Sequence, residues 1–91
     1  MSIVVRFAPM SMTAEQYDQV RRRMEEAGDF PPEGMEFHVC FGPEGNLRVS
    51  EIWASREQFH AFGERLTPVI TEAGIEPSEP QILDVYNMIR P

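Results

Sequence analysis

The sequence predicts an α+β fold of the ferredoxin-like type, β-α-β-β-α-β, with an antiparallel sheet in strand order 4-1-3-2. Three observations carry this. Two helix starts are marked by capping-box tetrads, Thr13-Ala14-Glu15-Gln16 and Ser55-Arg56-Glu57-Gln58. Each helical pattern runs to a glycine, Gly28 and Gly74. Short β-branched and aromatic runs stand before, between and after these helices. Right-handed crossovers between the strands then place both helices on one face of the sheet.

Each element has its own justification. Ile3 to Ala8 is a short strand that Pro9 ends. Met12 and Tyr17 occupy the two positions of a hydrophobic staple around the first cap. Tyr17, Val20, Met24 and Ala27 then form one apolar helical stripe. Asp29 to Gly34 is a loop. Met35 to Phe41 alternates, with Met35, Phe37, Val39 and Phe41 on one face and Glu36, His38 and Cys40 on the other. Pro43-Glu44-Gly45 supplies a turn, and Leu47 to Ala54 returns as the third strand. Phe59, Phe62, Leu66, Val69, Ile70 and Ala73 lie at helical spacing, with Pro68 expected to kink that helix. Ile75 to Pro80 is a loop, Gln81 to Ile89 the last strand, and Arg90-Pro91 a tail.

At 91 residues the chain is read as a single domain, 1–91. A chain of this size buries only about 60% of its unfolded surface, so a second covered face would help it. Net charge is −7, from 15 acidic residues and 8 basic ones, all arginine. This disfavours nucleic acid, whose phosphates need neutralising, and anionic membrane surfaces. Arg21-Arg22-Arg23 sits among Glu15, Asp18, Glu25 and Glu26 and reads as a solvated helix face. No apolar run is long enough to span a bilayer, and the first residues do not resemble a signal peptide. Cys40 is the sole cysteine, so no internal disulfide forms and a cytoplasmic location is expected. His38 and His60 are too far apart in the pattern to make a metal ligand set.

Two helices cover one sheet face and leave the other open. With Ile3, Val5, Phe7, Phe37, Val39, Leu83 and Val85 turned to the helices, the open face carries Val4, Arg6, Ala8, His38, Cys40, Ile82, Asp84, Tyr86 and Met88. The third strand has two registers, because a three-residue bulged loop and a two-residue turn differ by one step. Burying Glu51 in mid-strand beneath a helix is the costlier arrangement, so Glu51 and Trp53 are expected on the open face. That face would then mix apolar area with Arg6, His38, Glu51 and Asp84. Two such faces packed together in a two-fold homodimer would account for it.

Gly34-Met35-Glu36-Phe37-His38-Val39, Leu47-Arg48-Val49-Ser50-Glu51-Ile52-Trp53-Ala54-Ser55 and Glu57-Gln58-Phe59-His60-Ala61-Phe62 resemble the dimeric α/β-barrel superfamily, whose best-known branch is the antibiotic-biosynthesis-monooxygenase-like proteins. The shared pattern is a strand ending in an acid, one residue and Trp, then a helix-opening Ser and Phe-x-x-Phe. The resemblance implies a homodimer with a cavity. It also implies cofactor-independent monooxygenase-like or isomerase-like chemistry on a small aromatic or anionic molecule, or else a non-catalytic ligand-binding or structural dimer. The haem-degrading branch uses an Asn on the first strand, a Trp and a His on the second helix. Here the first strand offers Arg6, His60 follows Trp53 by seven residues, and position 63 is Gly. Haem is therefore not expected, nor any other cofactor.

The candidate catalytic residues are His38, as a proton acceptor, and Arg6, stabilising developing negative charge. Glu51, Trp53, Tyr86 and Asp84 are the candidate ligand-binding residues. Cys40 has nothing in the sequence to activate its thiol.

Overall fold

The computed structural model describes residues 1–91. Its elements are β1 (Ile3–Phe7), α1 (Ala14–Glu26), β2 (Met35–Phe41), β3 (Arg48–Trp53), α2 (Arg56–Glu72) and β4 (Gln81–Asp84). All pairings are antiparallel and the sheet runs β2-β3-β1-β4, the expected 4-1-3-2 read from the other edge. Val20 and Met24 of α1 and Phe62 of α2 bury against Ile3, Val5, Val49 and Trp53, so both helices lie on one face.

The caps are local chemistry. Thr13 Oγ1 accepts from the Gln16 amide at 3.1 Å, and Gln16 Oε1 accepts from the Thr13 amide at 3.0 Å, which completes the first capping box. At Ser55 only half of the motif forms. Its Oγ accepts from the Gln58 amide but donates to Gln58 Oε1, so the Gln58 side chain never reaches the cap backbone. Helix α2 runs through Pro68 as one element. Proline has no N–H to give, so the Glu64 carbonyl forgoes its helical partner. One residue earlier, Thr67 Oγ1 donates to the Gly63 carbonyl at 2.8 Å.

The largest departure from expectation concerns which face each strand turns to the helices. A β-bulge falls between Met35 and Phe37, leaving Glu36 as the extra residue. Met35 therefore packs on the core, but Phe37, Val39 and Phe41 turn away from it, and His38 and Cys40 turn inward. The connection from β2 to β3 is longer than either loop considered, pairing Phe41 with Arg48. Its register puts Val49, Glu51 and Trp53 under the helices, where they are 8%, 8% and 0% exposed. Glu51 and Trp53 are thus not on the open face. The expected desolvation cost is met by hydrogen bonds that the sequence pattern did not reveal.

β4 shifts as well. Ile82 pairs beside Val5 and packs on the core, while Leu83 pairs beside Val4 and faces out. The strand stops at Asp84 rather than Ile89 because β1 begins at Ile3, opposite Asp84, and offers little beyond. One last bond, from the Val85 amide to the Ser2 carbonyl, closes the edge. The open face then carries Phe37, Ile52, Val4 and Leu83 in one row across all four strands, with Val39, Ser50, Arg6 and Gln81 in the next.

Trp53→Ala should lose about 3–5 kcal/mol of stability in urea unfolding, because it empties a fully buried site and strips Glu51 of a donor. Tyr86→Ala, at a fully exposed position, should change stability by less than about 0.5 kcal/mol. Equal effects of the two changes would contradict the inward register of β3.

Candidate functional site

Antiparallel pairing sets His38 of β2 directly opposite Glu51 of β3, both turned toward the helices. Trp53 follows Glu51 by two residues and shares its face. Its indole can only donate, so Trp53 Nε1–H gives its proton to Glu51 Oε1, at 2.9 Å. The second oxygen, Oε2, lies 2.7 Å from His38 Nδ1 and accepts from it. With Nδ1–H committed, Nε2 of the neutral imidazole is left as the acceptor. Tyr17 O–H of α1 donates to it at 2.6 Å. One directed chain therefore runs from a phenol through an imidazole to a carboxylate that is braced from behind by an indole.

Aromatic packing holds the chain in place. The Tyr17 ring stacks on His38 with centroids 5.9 Å apart, and Phe30 meets the imidazole edge-on at 5.3 Å. Burial pushes the Tyr17 phenol above the usual tyrosine value. Cys40 and Glu51 act in the same direction, and Arg21, one turn along α1, opposes them. Tyr17 is accordingly a protonated donor at neutral pH. Burial also pushes the Cys40 thiol up, with Asp18 adding to it, which disfavours a nucleophilic thiolate.

Tyr17, His38 and Glu51 line a partly enclosed cavity of about 190 Å³ between sheet and helices. Its other walls are mostly apolar, chiefly Val5, Val49, Phe59, Phe62, Leu66 and Ile70. An apolar chamber with a few convergent polar groups is the usual form of a small-molecule site. No three His, Cys, Asp or Glu side chains gather into a group that could hold a metal ion.

Of the residues singled out in the sequence, His38, Glu51 and Trp53 come together. They do so inside the cavity side of the sheet rather than on its open face. Arg6 lies on that open face, beside Ser50, with the sheet between it and His38. Asp84 sits at the end of β4 and meets Arg56 Nη2 at 3.3 Å. Tyr86 is beyond the strand and fully exposed. Tyr17 and Phe30 were missed. Tyr17 read as one more apolar stripe residue, and only its phenol, in an otherwise aliphatic stripe, marked it out.

Neither a protein-family model nor a curated protein sequence matches the chain. Solved structures do. A protein from Chloroflexus aurantiacus, provisionally named an antibiotic biosynthesis monooxygenase, superposes with a TM-score of 0.66 at 13% identity over 99% of this chain and 98% of its own. A similarly named protein from Deinococcus radiodurans gives 0.63 at 12% identity, covering 99% and 97%. SnoaB, a cofactor-independent oxygenase from Streptomyces nogalater, gives 0.61 at 17% identity, covering 97% and 94%. At these identities the likeness is one of architecture, and the chain has the ferredoxin-like fold of the antibiotic-biosynthesis-monooxygenase-like proteins.

Proposed function

We propose that the chain is a cofactor-independent oxygenase that removes a proton from a small aromatic molecule held in the cavity. The observation that carries this is the Tyr17–His38–Glu51 chain opening onto an apolar chamber. Tyr17 is too weak an acid to serve as a free phenolate, since burial raises its pKa. It works instead as a conduit. A substrate proton reaches Tyr17 Oη as the phenol's own proton passes to His38 Nε2. The imidazolium that forms is stabilised by Glu51, and Trp53 keeps that carboxylate oriented. The substrate anion, flanked by apolar walls, then reduces O₂ and forms a C–O bond. The proton stored on His38 returns to the peroxide, and loss of water leaves a carbonyl. An activated CH₂ and O₂ thus become C=O and H₂O, with O₂ as both oxidant and oxygen source. Similarity in fold to SnoaB, a cofactor-independent oxygenase, is consistent with this reading.

A second copy of the chain completes the proposal. The row Phe37, Ile52, Val4 and Leu83 runs across the open face, and Phe37 and Leu83 are 53% and 45% exposed. A face-to-face two-fold pair would cover that apolar row on both copies.

Turnover is tested with hydroxylated and keto aromatic compounds under ¹⁸O₂, following a product that gains one labelled oxygen and loses two hydrogens. His38→Ala and Tyr17→Phe should each lower the rate by about 10²–10⁴-fold while circular dichroism stays native. Wild-type binding without product would leave a ligand-binding protein in place of an enzyme, and full activity in both variants would remove His38 and Tyr17 from the chemistry.

In a Tyr86→Phe variant, the one remaining tyrosine should titrate above about pH 10 in the ultraviolet. The folded protein holds that proton more tightly than the unfolded chain, so stability should also begin to fall as pH rises past about 10. A midpoint below this would remove the conduit role.

Sedimentation should give a dimer for the wild type, and Phe37→Glu should give a folded monomer. A wild-type monomer would rule out the paired open faces.

A further inference from the structure

Gly63 stands in the interior of α2 without the usual reasons for a glycine. The other five glycines all take positive φ, where a side chain would be strained. Gly63 does not, and it lies well inside the helix that runs from Arg56 to Glu72. A glycine there weakens the helix relative to alanine. Close packing does not account for it either. At Gly34 a Cβ would run into the Gln58 side chain, but a Cβ on Gly63 would meet no atom within 4 Å.

The empty space borders the cavity. Phe59, Phe62, Gly63, Leu66, Thr67 and Ile70 are the residues of α2 that line it. Their spacing is that of one helix face, with Gly63 in its middle. In a helix the backbone fixes where each Cβ points. A side chain at position 63 would therefore project from the cavity face, into space that nothing in the protein fills. Phe62 and Leu66 on the same face already pack on the core, so the helix is seated without help from position 63. Thr67 gives its hydroxyl proton back to the Gly63 carbonyl, at 2.8 Å.

The size of the cavity makes this space matter. An apolar cavity of about 150 Å³ holds one benzene. The cavity here, at about 190 Å³, is only modestly larger. A leucine side chain has as many carbons as the second ring of naphthalene adds to the first. One side chain at position 63 is therefore large enough to decide whether a second ring enters.

We infer that Gly63 is a specificity-determining residue. The recess left by its missing side chain receives the second ring of a two-ring aromatic ligand, and the helix gives up some stability to keep that recess open. This rests on the proposed function, in that the cavity is where the substrate binds, and it narrows the size of that substrate.

The test measures phenol and 2-naphthol binding by isothermal titration calorimetry, and urea unfolding, in wild type, Gly63→Ala and Gly63→Leu. Wild type should bind 2-naphthol at least about tenfold more tightly than phenol, because the added ring buries further apolar surface. Gly63→Ala should weaken 2-naphthol by about tenfold and Gly63→Leu by on the order of 10²-fold. Phenol affinity should change by less than about threefold in both. Gly63→Ala should also raise the urea midpoint, since it replaces a helical glycine without crowding. A lower midpoint would mean that the fold itself requires the glycine, and would overturn the inference. So would a naphthol preference that is absent in wild type or that survives in the alanine variant, which carries the test even if the leucine variant fails to fold. Each of these outcomes leaves the proposed function standing. If wild type binds neither compound, both readings fall together.

Discussion

The arrangement depends on one buried carboxylate. Glu51 lies in mid-strand under both helices, where an unpaired charge would be prohibitively costly. It is tolerated because two donors converge on it, one from its own strand and one from the neighbouring strand. Each contact constrains something further. The Trp53 indole nitrogen must point back along β3, which fixes its ring against Phe59 and Phe62 at centroid distances of 5.6 and 5.5 Å. The His38 ring must turn inward, which commits β2 to its bulge and expels Phe37, Val39 and Phe41 to the opposite face. A satisfied buried pair of this kind adds little net stability over apolar packing. Its consequence here is specificity of register, since a one-residue slip of β3 would turn Glu51 and Trp53 to the open face and part the carboxylate from the His38 imidazole.

The same constraint orients the polar chain. An imidazole with Nδ1 held by a carboxylate presents Nε2 in one tautomer and one direction. Tyr17 extends that direction from sheet to helix, so one end of the chain is a phenol on α1 and the other a carboxylate on β3. Tyr17 is held where it is by the first capping box and by Met12, which is buried beside the helix start. Helix capping, commonly a matter of local stability, here sets the position of the hydroxyl that bonds to His38.

The two faces of the sheet have divided their roles. The helix face holds the core, the cavity and the polar chain. The open face holds apolar rows with Arg6 and Arg48 among them, and is suited to being covered by another surface. The β2 bulge is the hinge of this division. By inserting Glu36 it lets one strand give Met35 to the core while giving its aromatic residues to the far face.

Much of the architecture was legible in the residues. Thr13 and Ser55 start the helices, the glycines end them, and the order of elements leaves little choice of sheet topology, because these signals act within a few residues of chain. The histidine, acid and tryptophan were also identifiable as chemistry-bearing groups. What the chain alone did not decide was the side of the sheet on which they meet. Alternation reports which residues share a face, but not which face it is, and a single bulged residue reverses the answer. The cost of burying Glu51 argued for exposure, and it is offset only by partners on β2 and by the indole two residues on. Arg6, Asp84 and Tyr86 were separated from the site for the same reason, since face and strand end are set by pairing. Tyr17 entered the site because a helix packs its flank against a neighbouring strand. Such long-range contacts, made after the local elements form, are what the tertiary structure decided.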